Sequence, residues 1–317
     1  MRFVRKKVIQ LILVLLSVTF LSFMMLNLLP GNTAQVVCGI SCDQAGLDQT
    51  KADLGLNDPI PVRYVKWLGN TLTGDMGASA LNKQPVADAI KERLPVTIEL
   101  LLYSQFIALV VAIPMGLIAA QRAGGIFDRT STTIAFGLLS IPSFVVAIVL
   151  ILIFAVKLGW FPAVGYVPFT ENPAENIHTL FLPALSLAVA ELAVYMRLLR
   201  TDLISTLQED YITMAKAKGI SSRRVLLRHA FRPSTFSLIT VAGLNMGRLI
   251  GGAFVIEVIF ALNGIGRYIY TGILSRDYIP VQGGVVIVAV AYVLINFCID
   301  MLYAVIDPRI RHARAIA

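Results

Sequence analysis

The segment Thr206–Pro233, TLQEDYITMAKAKGISSRRVLLRHAFRP, decides how this chain reads. It is polar and ordered in its charges, yet long apolar stretches flank it on both sides. Its local signals predict two short helices. Thr206 is placed to N-cap the first, and Glu209, three residues on, to complete a capping box. Glu209 and Asp210 fall in the first turn and Lys216 and Lys218 in the last, each where the helix dipole favours its charge. Gly219 is placed for the left-handed position that closes a helix. Ser221 or Ser222 is placed to cap a second helix, which Pro233 limits. Ala215 and Gly219, four apart, leave a shallow spot on one face where a partner surface can approach.

Outward from this insert the chain is greasy. Of its 317 residues, 57% are hydrophobic and only 15% charged. Soluble domains run nearer about 45–50% apolar and about 25% charged. The mean hydropathy of +0.76 agrees. Six stretches approach the roughly 20 residues that a spanning helix needs: 8–29, 96–120, 131–156, 178–196, 236–260 and 283–306. Continuous apolar runs exclude barrel strands, which alternate over ten or so residues. The sequence therefore predicts an all-α membrane protein with six transmembrane helices. Its division is a cytoplasmic N-terminus and first helix at 1–29, an extracytoplasmic loop domain at 30–95, a five-helix core at 96–306 and a tail at 307–317. The insert 206–233 belongs to that core.

Orientation follows the lysines and arginines. With the N-terminus inside, seventeen fall on the cytoplasmic segments and nine on the other side, six of those in the long 30–95 loop. Both termini and the central insert are expected in the cytoplasm. Arg2 to Lys7 before an apolar run resembles a signal peptide, but the run exceeds the usual h-region and no clear cleavage site follows. An uncleaved first span is expected.

Cys38 and Cys42 stand in the outer loop, on the oxidising side, where a disulfide, a free pair or a metal pair are all open; no histidine lies nearby to complete a metal set. Tyr64 and Trp67 stand at helical spacing, for packing or for the membrane interface. Pro142, between Ser140 and Ser143, predicts a kink inside span three. Glu191, Arg248 and Glu257 are charges inside spans, which normally face a cavity or each other. Arg248 lies near the middle of its span. Either it pairs with Glu191 or Glu257, or the three line a translocation pathway where a peptide carboxylate passes.

Absences exclude other classes. There is no GxxxxGK[ST] phosphate loop, no HExxH helix and no GxSxG elbow. The histidines are only His178, His229 and His312. No catalytic residue and no metal site is expected. Helix, glycine turn and basic helix also resemble a helix-turn-helix reader of DNA, but the insert is short, lacks a third packing helix and is tied to spans at both ends, so no nucleic-acid partner is expected.

At Asp210–Gly219 the chain reads DYxxxAxAKG, which resembles the cytoplasmic EAA loop of bacterial ABC importer permeases, in the dipeptide/oligopeptide/nickel branch. Leu54-Gly55-Leu56-Asn57-Asp58-Pro59, Gly74-Asp75-Met76-Gly77, Arg93-Leu94-Pro95-Val96-Thr97, Asn263-Gly264-Ile265-Gly266 and Asp307-Pro308-Arg309 extend the likeness along nearly the whole chain. Two departures stand out: Ser237 where the branch usually has proline, and Pro30-Gly31-Asn32-Thr33 where the family often reads PGDP. The resemblance implies the type I ABC importer permease fold in the cytoplasmic (inner) membrane. It implies Glu209, Asp210, Tyr211, Ala215, Lys216 and Gly219 as the coupling helix that docks on an ATPase. It also implies a second homologous permease, two ATPase subunits that bind ATP and Mg, and an extracytoplasmic binding protein, with no cofactor in this chain. Peptides are the expected cargo; nickel or glutathione are alternatives within the same machinery. A self-sufficient channel or ion-driven carrier is the alternative outside it, and no convincing inverted repeat supports that.

Overall fold

The computed structural model describes residues 2–28, 43–53 and 57–306, together with Cys38. Helix α1 spans Arg2–Leu28, α2 Gln44–Asp53 and α3 Ile60–Leu72. Then come α4 (Val86–Gln121), α5 (Ile126–Leu139), α6 (Ser143–Lys157) and α7 (Pro173–Thr206). The short α8 (Asp210–Ala217) precedes α9 (Ser222–Ile259), α10 (Ile265–Leu274) and α11 (Tyr278–Ile306). Among the described residues the only strand-like feature is one isolated bridge, Ala78 to Pro85. The chain is an all-helical membrane protein, as the apolar runs require.

Helices α4, α7, α9 and the described part of α11 are each long and apolar enough to cross a membrane. The pair α5 and α6 passes the same test together, and Val8–Met24 of α1 is a shorter apolar segment. These elements carry the six expected stretches, but the helices overrun them. Helix α4 starts ten residues before the apolar run, at Val86, and α9 runs back to Ser222.

Span three departs most from expectation. The single kinked helix expected over 131–156 is instead two helices bent by 101°. Pro142 has no N–H to donate and biases Ile141 away from helical backbone. The first helix closes with Ser140 N–H donating to Gly137 O (3.1 Å), and Pro142 (φ −59, ψ 143) opens the second. The end of α6, Ile151–Lys157, winds as π-helix.

Two compact units are present, residues 1–98 with 261–294, and residues 99–260 with 295–317. In the first, α3 packs on α1 through an aromatic cluster. Tyr64 meets Phe20 and Phe23 edge-on with centroids 5.1 and 5.7 Å apart, and Trp67 lies 5.6 Å from Phe23. Tyr64 and Thr19 also share a hydroxyl hydrogen bond of 2.8 Å. Tyr64 and Trp67 thus pack against the chain's own first helix. Buried Asp277 accepts from Ser79 Oγ (2.5 Å) and from Ala80 N–H (3.2 Å). Thr97 Oγ1 accepts the Ile265 N–H at the start of α10 (2.9 Å), and Arg93 lies over the Tyr268 ring at 4.6 Å.

The second unit is built around α7. Its core joins Ala108 and Ala112 of α4, Ala188, Tyr195, Leu199 and Leu203 of α7, Ile212 of α8 and Val225 and Leu226 of α9. Gly116 lets α4 come close to α7: a Cβ there would stand 3.1 Å from the Met196 carbonyl. At one end of the unit, buried Asn176 donates to Glu99 and to the Val167 carbonyl, each 2.7 Å, and accepts from Tyr103 (2.7 Å). Tyr166 donates to the same Glu99 oxygen at 3.0 Å, and burial, then that carboxylate, push the Tyr166 hydroxyl well above its ordinary range.

Candidate functional site

The polar insert folds as one short helix followed directly by a long one. The capping box does not form. Thr206 is the last residue of α7, because the spanning helix continues into the insert, and its hydroxyl lies 3.3 Å from that of Ser234. Glu209 (φ −68, ψ 148) takes the N-cap position of α8, without a side-chain cap bond. Asp210 stands in the first turn and Lys216 in the last, as the helix dipole favours.

The end of α8 matches its sequence signal. Gly219 adopts φ +78. Its N–H donates to Lys216 O (3.0 Å) and the Ile220 N–H to Ala215 O (3.2 Å). This pair of bonds is the Schellman closure, which needs the left-handed residue glycine supplies at least cost. Ser221 then takes the next N-cap position (φ −59, ψ 144), again without a side-chain cap bond. The second helix is not limited by Pro233. It passes through a π-helical turn, Val225–Ala230, and continues to Ile259.

Pro233 thus falls inside α9. Pro233 has no N–H for the carbonyl of His229 four residues earlier. The Tyr211 hydroxyl donates to that carbonyl instead, at a long 3.4 Å. Partial burial, then the nearby Glu209 carboxylate, push the Tyr211 hydroxyl above its usual range, so it remains a donor.

The faces of α8 sort differently from expectation. Ile212 is fully buried and Ala215 is 7% exposed, both in the core of the second unit. Ala215 is therefore not part of an outward shallow spot with Gly219; its small side chain lets α8 lie close to its own chain. The outward surface carries Glu209, Asp210, Tyr211, Lys216 and Gly219, with Met214 (59% exposed) and Lys218. Met214 was not singled out from sequence, although it stands three residues from Tyr211 and so shares its face.

Elsewhere in the second unit, an ion pair that the sequence did not signal joins α5 to α7. Arg200 donates through Nε and Nη2 to the two carboxylate oxygens of Asp128, the second at 2.7 Å. Gly124 N–H adds a third bond at 2.8 Å. Asp128 is 2% exposed. Seventy-two residues separate the partners, so no local spacing reveals them.

The charges inside the spans also rearrange. Glu191 and Glu257 are buried within the chain, whereas Arg248 is exposed. Arg248 makes no ion pair with either among the described residues. It donates to Asn245 Oδ1, and Asn245 Nδ2 donates to the Glu191 carboxylate. Tyr195 donates to Gln105 (3.1 Å), which donates to the Ala242 carbonyl (3.4 Å). Asn245, the bridge, was missed; an amide three residues before an arginine in an apolar helix was the available signal. The candidate disulfide lies outside the described residues, since Cys42 is not among them. No group of three or more His, Cys, Asp or Glu is placed to hold a metal among the described residues.

Two family matches cover the chain. Residues 112–312 match the binding-protein-dependent transport system inner membrane component, and residues 1–101 the N-terminal part of such components. A putative peptide transport system permease protein of Brucella abortus (strain 2308) is 41% identical over 307 residues, covering 97% of this chain and 98% of the relative. The oligopeptide transport system permease protein AppB of Bacillus subtilis (strain 168) is 38% identical, covering 98% and 99%. The glutathione transport system permease protein GsiC of Pectobacterium atrosepticum is 36% identical, covering 97% and 98%. Among solved structures, an inward-facing form of the MetNI methionine ABC transporter superposes with a TM-score of 0.58. It covers 69% of this chain and 96% of that one at 18% identity, a likeness of fold.

Proposed function

The chain belongs to the family of binding-protein-dependent transport system inner membrane components and is a permease subunit of an ABC importer, not an enzyme; on that premise we propose that it carries peptides across the cytoplasmic membrane. The near-full-length likeness to relatives named for peptide and oligopeptide transport carries this reading. ATPase and substrate-binding subunits are its partners as a family member. The finer composition is proposed: one second permease of similar fold, two ATPases binding ATP and Mg, both termini in the cytoplasm, and the 30–95 loop receiving the loaded binding protein. Nickel is the weaker cargo reading; glutathione, itself a small peptide, has a named relative in its favour.

Coupling is assigned to α8. Its outward Tyr211 and Met214, ringed by Glu209, Asp210, Lys216 and Lys218, offer an apolar centre with a charged rim, the composition of a docking interface. Its inward face, Ile212 and Ala215, is packed into the core that contains α7 and α9. A push on α8 therefore reaches the spanning helices through close-packed side chains rather than through a loose loop. The translocation pathway is assigned to the Arg248 side of α9, with Glu191 and Glu257 acting from inside the chain. Co-purification and reconstitution test the whole. The chain should isolate with ATP-hydrolysing subunits, and liposomes should take up peptide only with ATP and a binding protein. Isolation alone with ATP-independent uptake would replace this reading with a carrier.

A further inference from the structure

Arg248 stands at the centre of the apolar part of α9, with its side chain exposed. Its neighbours on that face are Leu244, Gly251 and Val255, four before, three after and seven after, all exposed. A guanidinium halfway along a spanning helix is not left facing lipid tails, because hydrocarbon offers no partner for the charge. Nor is a headgroup within reach at that depth. This face of α9 therefore borders water or a partner subunit, not lipid.

The way Arg248 is held adds a second observation. Asn245 Oδ1 accepts from Arg248 Nη2, and Asn245 is itself fixed because its Nδ2 donates to Glu191. Asn245 is 3% exposed and Glu191 8%, so the support is buried while the head it orients is not. Guanidinium carries five donors in a planar fork. One bond is to Asn245, and no carboxylate forms an ion pair with Arg248 among the described residues. The remaining donors match the two oxygens of a carboxylate. Glu191 sits one residue removed from the cation, which leaves the site attractive to an anion yet moderates its grip. A passage needs that balance, since a cargo must leave each station as readily as it enters.

We propose that Arg248, positioned by Asn245 and Glu191, is a transient station for the terminal carboxylate of a peptide crossing the membrane. This rests on the peptide-import reading above. Glu191 and Asn245 are positioning residues here; only Arg248 meets the cargo.

The experiment uses the full assembly with its binding protein and ATPase subunits in liposomes. It compares uptake of trialanine, which has no acidic side chain, with uptake of trialanine amide. The same binding protein presents both, so its own preference cancels when variants are compared with wild type. Arg248→Gln should lower the free-acid to amide ratio on the order of tenfold, the scale of one hydrogen-bonded charge. Arg248→Lys, which keeps the charge and loses the fork, should fall between. Glu191→Gln still accepts from Asn245 but removes the negative charge that moderates the grip, and should raise the ratio; Asn245→Ala should lower it. A ratio unchanged in both Arg248 variants would overturn the proposal. So would an equal loss of both peptides, which is what pairing with a residue of another subunit predicts. A wild type carrying neither peptide would overturn the import reading, and this with it.

Discussion

The Tyr211 hydroxyl donates to the His229 carbonyl, tying the outward face of α8 to the π-helical turn near the start of α9. The acceptor is one that Pro233 leaves without its usual helical donor. Tyr211→Phe keeps the ring on the outward surface and removes only this tie. Amide exchange over 225–230 should speed several-fold, consistent with a bond contributing up to about 1 kcal/mol. Assembly with the ATPase subunits should persist. Unchanged exchange in this segment would show that the tie holds nothing.

Neighbouring residues on α8 should fail in opposite ways. Met214→Asp changes the exposed face and should weaken association with the ATPase subunits at least tenfold while leaving the thermal midpoint of the isolated permease within a degree or two. Ala215→Glu forces a carboxylate into a site that is 7% exposed. It should destabilise the α8 region by several kcal/mol, on the order of 3. Pull-down and thermal unfolding, run on both variants, separate the two. Equal behaviour would mean that α8 has no distinct inner and outer face.

Gly219 should tolerate a methyl group in space but not in backbone. Nothing lies within 4 Å of a Cβ built there, yet its φ is +78. Gly219→Ala should cost about 1 kcal/mol from the left-handed backbone alone, and Gly219→Asn less. Urea unfolding of the solubilised protein reads the order; alanine as stable as asparagine would contradict it.

Breaking the Asp128–Arg200 pair should be among the most damaging changes far from α8. Asp128→Asn leaves Arg200 facing an amide that offers one acceptor instead of two charged oxygens. Asp128 is buried but the Arg200 side chain is 27% exposed, so the loss should cost about 1.5–3 kcal/mol, the scale of hydrogen bonds to a charged group. The exchanged pair Asp128→Arg with Arg200→Asp should recover part of that in thermal unfolding, less than fully because Gly124 N–H would then face a cation. No recovery would assign the loss to packing rather than charge.

The start of α7 offers a further check. Asn176→Leu removes a side chain that makes three hydrogen bonds of 2.7 Å to Tyr103, Glu99 and the Val167 carbonyl. Stranding these partners should cost about 3 kcal/mol, seen as a lowered thermal midpoint. Asn176→Gln should not rescue it, since the longer amide cannot occupy a fully buried site of that size. A neutral Asn176→Leu would mean that water replaces the lost bonds.

Apolar run length alone established the all-helical membrane architecture, because hydrocarbon forces backbone groups to bond within each span. Local chemistry alone established the closure of α8 at Gly219, since a positive φ is a property of one residue and its neighbours. Family membership was likewise legible in short motifs such as DYxxxAxAKG. What depends on residues far apart was not. The sequence placed Thr206 as a cap that opens a helix; continuity of α7 made it the last residue of the preceding one. It placed Ala215 outward; packing of α8 on the start of α9 turned it in. It grouped Glu191 and Glu257 with a mid-span Arg248, while the fold buried the two carboxylates and exposed the arginine. Pro142 announced a kink, and only the packed structure set it at 101°. Burial, ion-pair partners and the direction a helix face looks are set by which elements meet in space, and spacing along a chain carries no record of that.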